Sequence, residues 1–220
     1  MIFWYLLLAH LIADYPLQPT WMVLQKARWS VLSLHVAIHF LITAILVWPV
    51  IGEVWIYILA LAGMHLALDV AKNMMNRMRP QWVIGPYLVD QFIHVGTILG
   101  ISLLVQRRAG ELLLEPEPAW LILAIVFLLV TYVWHISERI FSYRQPEYRQ
   151  EVIERLWTRM AARGILLFVL LLAWFFVPQS SASLAAAVRF PYAASKYPRR
   201  AFFTDMLVSI AGFLFIYLVL

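Results

Sequence analysis

The chain has 220 residues, of which 64% are hydrophobic and only 13% charged, and its mean hydropathy is +0.81. That balance excludes an ordinary soluble domain and predicts a multi-span membrane protein. The absence of cysteine excludes disulfides and thiolate metal sites, and a net charge of +5 spread over loops between apolar stretches points to anionic lipid head groups and away from nucleic acid.

The first apolar stretch, Ile2 to Asp14, is short for a crossing of about 20 residues. It lacks a basic leader and a small-residue cleavage site, so a retained helix is expected here and not a signal peptide. Pro16 and Pro19 end it. Trp21 to Ser30, with Lys26 and Arg28, reads as an interfacial connection carrying an aromatic anchor. A second helix follows over Val31 to Trp48, stopped by Pro49 and Gly52, and a third over Glu53 to Met75, after which Arg77, Arg79 and Pro80 make a basic turn.

Gly85-Pro86 precedes the fourth helix, Tyr87 to Gln106. The loop from Arg107 to Pro118 mixes two arginines with Glu111, Glu115 and Glu117, and a fifth helix covers Ala119 to Phe141. Ser142 to Arg163 carries acids and arginines at helical spacings, which predicts an amphipathic interfacial helix. A sixth helix is expected over Gly164 to Val177 and a seventh over Ala201 to Leu220, with the Ser/Ala-rich Gln179 to Val188 unassigned. The expected fold is all-α, a polytopic transmembrane bundle of six to seven spans. It divides into a core over 1–106 and a C-terminal membrane part over 107–220.

Within the core, four pairs of potential ligands are each spaced four residues apart: His10 and Asp14, His35 and His39, His65 and Asp69, Asp90 and His94. On a helix, positions i and i+4 share a face, so both members of a pair can reach one point. Adding 55 to the first four positions gives the last four, with only His35 exchanged for Asp90. The first four helices therefore read as a duplicated hairpin whose pairs all sit at one membrane depth, on the side with the basic connections. By the positive-inside rule that side is cytoplasmic. The 142–163 stretch falls on the same side, but the basic Arg189 to Arg200 segment violates simple alternation unless 179–188 re-enters the membrane.

Five histidines and three aspartates without sulfur suit Zn²⁺, Mn²⁺, Fe²⁺ or Ni²⁺, and eight candidates suffice for one or two ions. Not all eight need ligate: His35, His39 and Asp90 are also the expected catalytic groups, a histidine serving as general base. Gln18 and Gln91 lie beside the ligands in sequence and can orient them by hydrogen bonds. The competing reading is ion pairing without metal, since Lys72 follows Asp69 by one turn and Lys26 can approach Asp14. His135, with Glu138 and Arg139, reads as a snorkelling polar cluster.

The string His10-Leu-Ile-Ala-Asp14-Tyr-Pro-Leu-Gln18, with Lys26, His35, His65-Leu-Ala-Leu-Asp69-Val-Ala-Lys72 and Asp90-Gln91-Phe-Ile-His94, resembles the DUF3307 family of bacterial membrane proteins over about residues 1 to 105. That resemblance implies a multi-pass protein of the bacterial inner membrane and supplies no reaction. The style of the motifs is more loosely similar to the DUF457 group of membrane-bound metal-dependent hydrolases.

The leading expectation is a metal-dependent membrane hydrolase acting on an amphiphilic or lipid-linked substrate at the cytoplasmic side, with Lys26, Arg28, Lys72 and Arg77 neutralising its head group. The alternative is a divalent-cation or proton-coupled transporter or channel using the same side chains. A third treats the polar residues as glue between helices.

Overall fold

The computed structural model of the chain describes residues 2–109, 119–176 and 198–220. Among these the fold is all-α with no strand, and six helices are long and apolar enough to cross a membrane. The chain divides into two compact units, 1–121 and 122–220.

In the first unit, α1 (Ile2–Asp14) is followed by the short α2 (Thr20–Gln25), then α3 (Trp29–Leu46), α4 (Ile51–Met78) and α5 (Ile84–Ala109). Pro49 cannot continue α3 and sits instead at the start of a 3₁₀ turn, Trp48–Val50, so α3 ends two residues before the expected Trp48. Nothing breaks α4 after Met75 until the approach to Pro80, and it runs on to Met78. The 107–118 loop lies almost wholly outside the described residues.

The four long elements close into a ring: α1 packs on α3 and α5, α3 on α4, and α4 on α5. Each inner face is a single helical stripe. On α4 it runs Val54, Ile58, Ala62, His65, Asp69, and on α3 Val31, Leu32, His35, His39, Thr43. The α4 stripe is apolar from Val54 to Ala62 and turns polar at His65 and Asp69, on the half of the helix that leads to its basic end. Outer faces carry exposed large apolar residues such as Trp55, Leu59, Phe92 and Leu103, as lipid contact requires.

In the second unit, Ala119–Leu128 (α6) continues through a π-helical stretch, Leu129–Val133, into α7 (Trp134–Phe141). The charged 142–163 stretch is not one amphipathic helix. It splits into a 3₁₀ turn (Ser142–Arg144), α8 (Pro146–Glu154) begun by Pro146 at its first turn, and the opening of α9 (Leu156–Phe176). Arg159 and Arg163 are wholly buried, because acids on neighbouring helices meet them there.

Arg159 bonds Asp205 (3.1 and 2.7 Å) and Glu138 (2.9 Å); Arg163 bonds Asp205 (2.7 Å) and the Thr131 carbonyl in the π-helical stretch (3.0 Å). His135 and Glu138 are therefore buried beside this network and do not snorkel. Tyr148 on α8 donates to Glu138, and burial together with that bond raises its phenol above the ordinary value.

The last helix, α10 (Arg199–Val219), starts where α9 starts: Arg200 bonds Gln145 (2.7 Å) and lies 3.9 Å over the Tyr148 ring. Arg159 meets Asp205, the Ser209 hydroxyl donates to the Arg163 carbonyl, and Trp174 packs on Tyr217, so contacts along α9 and α10 advance in the same chain direction. The pair is parallel, where simple alternation would make it antiparallel. The expected re-entry at 179–188 lies outside the described residues. Gly212 makes the close approach possible, since a Cβ there would stand 2.6 Å from Val130 Cγ2 and 3.0 Å from Val126 Cγ1.

Candidate metal centre

All four i,i+4 pairs point into the ring of the first unit, where seven of the eight side chains are buried and Asp14 is nearly so. Each helix delivers one pair because its inner stripe advances by four residues. His65 on α4 is the hub. Its ring centroid lies 3.8 Å from His39, 4.5 Å from His94, 5.2 Å from His35 and 5.7 Å from His10.

Two ligand groups share that hub. One atom from each of Asp14, His35, His39 and His65 lies within 4.8 Å of the others, and the same holds for His65, Asp69 and His94. In the first group His35 Nε2 and His39 Nε2 approach Asp14 Oδ1 at 3.1 and 3.2 Å, and His65 Nε2 approaches His35 Nε2 at 3.1 Å. A tetrahedral ion with bonds of about 2.0–2.1 Å has ligand-to-ligand edges of about 3.3–3.4 Å. The three edges just given are close to that length, and the other three lie within 4.8 Å.

Hydrogen bonding alone does not account for the crowding. A neutral imidazole nitrogen offers one N–H or one lone pair. His35 Nε2 faces Asp14, His65 and the Gln18 amide, each at 3.1 Å, with Asp69 Oδ2 at 3.6 Å. Nearby, His94 Nε2 is buried without a hydrogen-bond partner. His94 gives its other nitrogen, Nδ1, to the Asp90 carbonyl at 2.8 Å, which fixes the tautomer and leaves Nε2 as a free lone pair. An orphaned buried nitrogen and an oversubscribed one are what a bound divalent cation would satisfy.

The remaining candidates stand around these groups. His10 belongs to neither, although its Nε2 lies 3.3 Å from Asp14 Oδ2. Asp90 is also outside both: its Oδ2 takes Lys72 at 2.5 Å and the Gln91 amide at 3.1 Å. Lys26 reaches Asp69 Oδ2 at 2.8 Å and not Asp14, which is occupied by three imidazoles. With Asp69 taken, Lys72 pairs across to α5 and not back along its own helix.

Gln18 and Gln91 do bond the expected neighbours, whereas Arg28 and Arg77 are exposed. Tyr15 was not anticipated. Its hydroxyl donates to Gln91 Oε1 at 3.1 Å and lies 3.3 Å from the Tyr87 hydroxyl, tying α1 to the polar end of α5. Its position directly after Asp14, facing a helix end with Gln91, was the available signal.

A cavity of about 20 Å³ borders His10, His39, His65 and His94. It is large enough for one water. Beyond Thr43 and Thr97 its wall is apolar, with Leu6, Ile58, Leu61 and Ile98.

No curated protein and no solved structure matches the chain. The sequence model of the family described as "Protein of unknown function (DUF3307)" matches residues 2–123, which is more than half of the chain and takes in the whole four-helix ring with its polar centre, so the chain belongs to that family.

Proposed function

We propose that the chain is a metal-dependent hydrolase of the bacterial inner membrane acting on an amphiphilic or lipid-linked substrate at the cytoplasmic leaflet. The observation that carries the reading is the convergence of the Asp14 carboxylate with the imidazole nitrogens of His35, His39 and His65, two of them within 3.2 Å of Asp14 Oδ1, and a second group that shares His65. A divalent ion, Zn, Mn or Fe by donor type, supplies Lewis acidity and a water activated near neutral pH. The chain's own part is to hold the donors, to keep the water-sized cavity beside them, and to present Lys26 and Lys72 to an anionic group arriving from the basic end.

Orientation follows from charge. Lys26, Arg28, Lys72, Arg77 and Arg79 flank the site-bearing end of the ring, and the turn at the other end carries only Glu53. The transporter reading fits less well, because the cavity beyond the histidines has room for about one water and, apart from Thr43 and Thr97, is walled by apolar side chains. Protein purified without chelator should carry divalent ions and cleave a phosphomonoester or ester amphiphile. Chelation should remove both properties. Full activity in metal-free protein would overturn the proposal.

A further inference from the structure

The two ligand groups have one nitrogen in common. His65 Nε2 stands 3.1 Å from His35 Nε2 on one side and 3.3 Å from Asp69 Oδ2 on the other, and through it His65 reaches either group. A neutral imidazole nitrogen has a single lone pair, so an ion in one group excludes an ion in the other. Asp14, His35, His39 and His65, or His65, Asp69 and His94, are therefore alternative positions for one ion.

The surroundings of the two carboxylates differ. Asp14 has imidazoles for partners, with His10, His35 and His39 at 3.3, 3.1 and 3.2 Å from its oxygens. A neutral imidazole carries its proton on either ring nitrogen, so these groups turn from donors into ligands without displacing a charge. Asp69 instead pairs with the Lys26 ammonium at 2.8 Å. An ion taking Asp69 must share the carboxylate with that ammonium or part the two, and a buried ammonium without its counter-charge is costly. Lys26 cannot withdraw by shifting its backbone, since Asn73 on α4 donates to its carbonyl at 3.1 Å. Donor number favours the same side, four against three.

The Asp69 group is nonetheless built as a ligand set. His94 keeps Nε2 buried and unpartnered, its tautomer set by the Asp90 carbonyl, and one ligand atom from each of His65, Asp69 and His94 lies within 4.8 Å of the others. The ammonium is what bars it.

We infer that the centre holds one divalent ion at a time, on Asp14, His35, His39 and His65, and that Lys26 keeps it from a second position on His65, Asp69 and His94. This rests on the metal reading above and adds a control to it: the Lys26 ammonium selects where the ion sits.

The test is Zn²⁺ affinity and stoichiometry of the full chain in phosphatidylcholine nanodiscs, by competition with a fluorescent chelator. The wild type should bind one Zn²⁺ per chain. His39→Ala should weaken binding about a hundredfold, whereas His94→Ala should change it by less than about twofold. Adding Lys26→Met to His39→Ala should recover about tenfold or more, because the ion can then pass to His65, Asp69 and His94, and adding His94→Ala as well should abolish that recovery. Lys26→Gln serves if the methionine variant does not fold.

Two ions per wild-type chain, a loss with His94→Ala alone as large as that with His39→Ala, or no recovery on replacing Lys26 overturns the inference and leaves the metal reading standing. So does a recovery that survives His94→Ala, which marks a general loss of positive charge and not the opening of a position. No Zn²⁺, Mn²⁺ or Fe²⁺ bound under any condition overturns both.

Discussion

Replacing His65 by alanine separates a shared centre from two independent sites. His65 is the one side chain common to both ligand groups, so its loss removes one donor of four from the first and one of three from the second. Four-ligand structural zinc sites bind with about 10–16 kcal/mol in small domains, which is about 3 kcal/mol per ligand and about a hundredfold in affinity. His65→Ala should weaken ion binding by about that factor wherever the ion sits, whereas His39→Ala weakens it only for an ion held with Asp14 and His35, and His94→Ala only for one held with Asp69. The assay is competition with a fluorescent chelator. If His65→Ala binds the ion as tightly as the wild type, the hub does not exist and the metal reading is wrong.

Gln18→Leu keeps the side chain's bulk but removes the amide that faces both ring nitrogens of His35 at 3.1 Å, and should cost about 10–100-fold in affinity for an ion held by Asp14, His35, His39 and His65 in the same competition. Asp205→Ala strips the shared partner from two arginines that are 0% exposed; SDS-induced unfolding should report a loss of about 3–5 kcal/mol, largely recovered when Asp205, Arg159, Arg163 and the Arg159 partner Glu138 are all made apolar. Gly212→Ala should cost about 1–3 kcal/mol by the same measurement, and Val130→Ala in the same chain should restore it, because Val130 Cγ2 is the atom a Cβ at 212 would strike.

The four-helix ring was legible in the sequence because its two strongest signals are local. Breakers such as Pro16, Pro49 and Pro80 delimit the helices, and four-residue spacing places His10, Asp14 and their repeat partners on inner faces whatever the tertiary packing. Pairing was not legible. Whether Lys26 meets Asp14 or Asp69, and Lys72 Asp69 or Asp90, depends on how far neighbouring helices are offset, which spacing along one helix does not encode.

The second unit was misread for a related reason. Arg159 and Arg163 look solvent-facing in a stretch rich in charges, and the acid they share, Asp205, lies 42 to 46 residues away on α10. An isolated acid within the apolar run of α10 was the same kind of signal that singled out the histidines, and it would have exposed the network.

The parallel course of α9 and α10 also sets an order of assembly. Two helices that run antiparallel can enter a membrane already paired as a hairpin, but α9 and α10 run parallel and cannot. Arg159 has Glu138 from the preceding helix while it waits; Arg163 has only the Thr131 carbonyl until Asp205 is synthesised. At about 5–20 residues per second, the 42 residues separating Arg163 from Asp205 take about 2–8 s, during which a guanidinium lacks its counter-charge. A nascent chain cut short before α10 would therefore carry an orphaned cation among its membrane helices, a defect by which quality control could recognise it as unfinished.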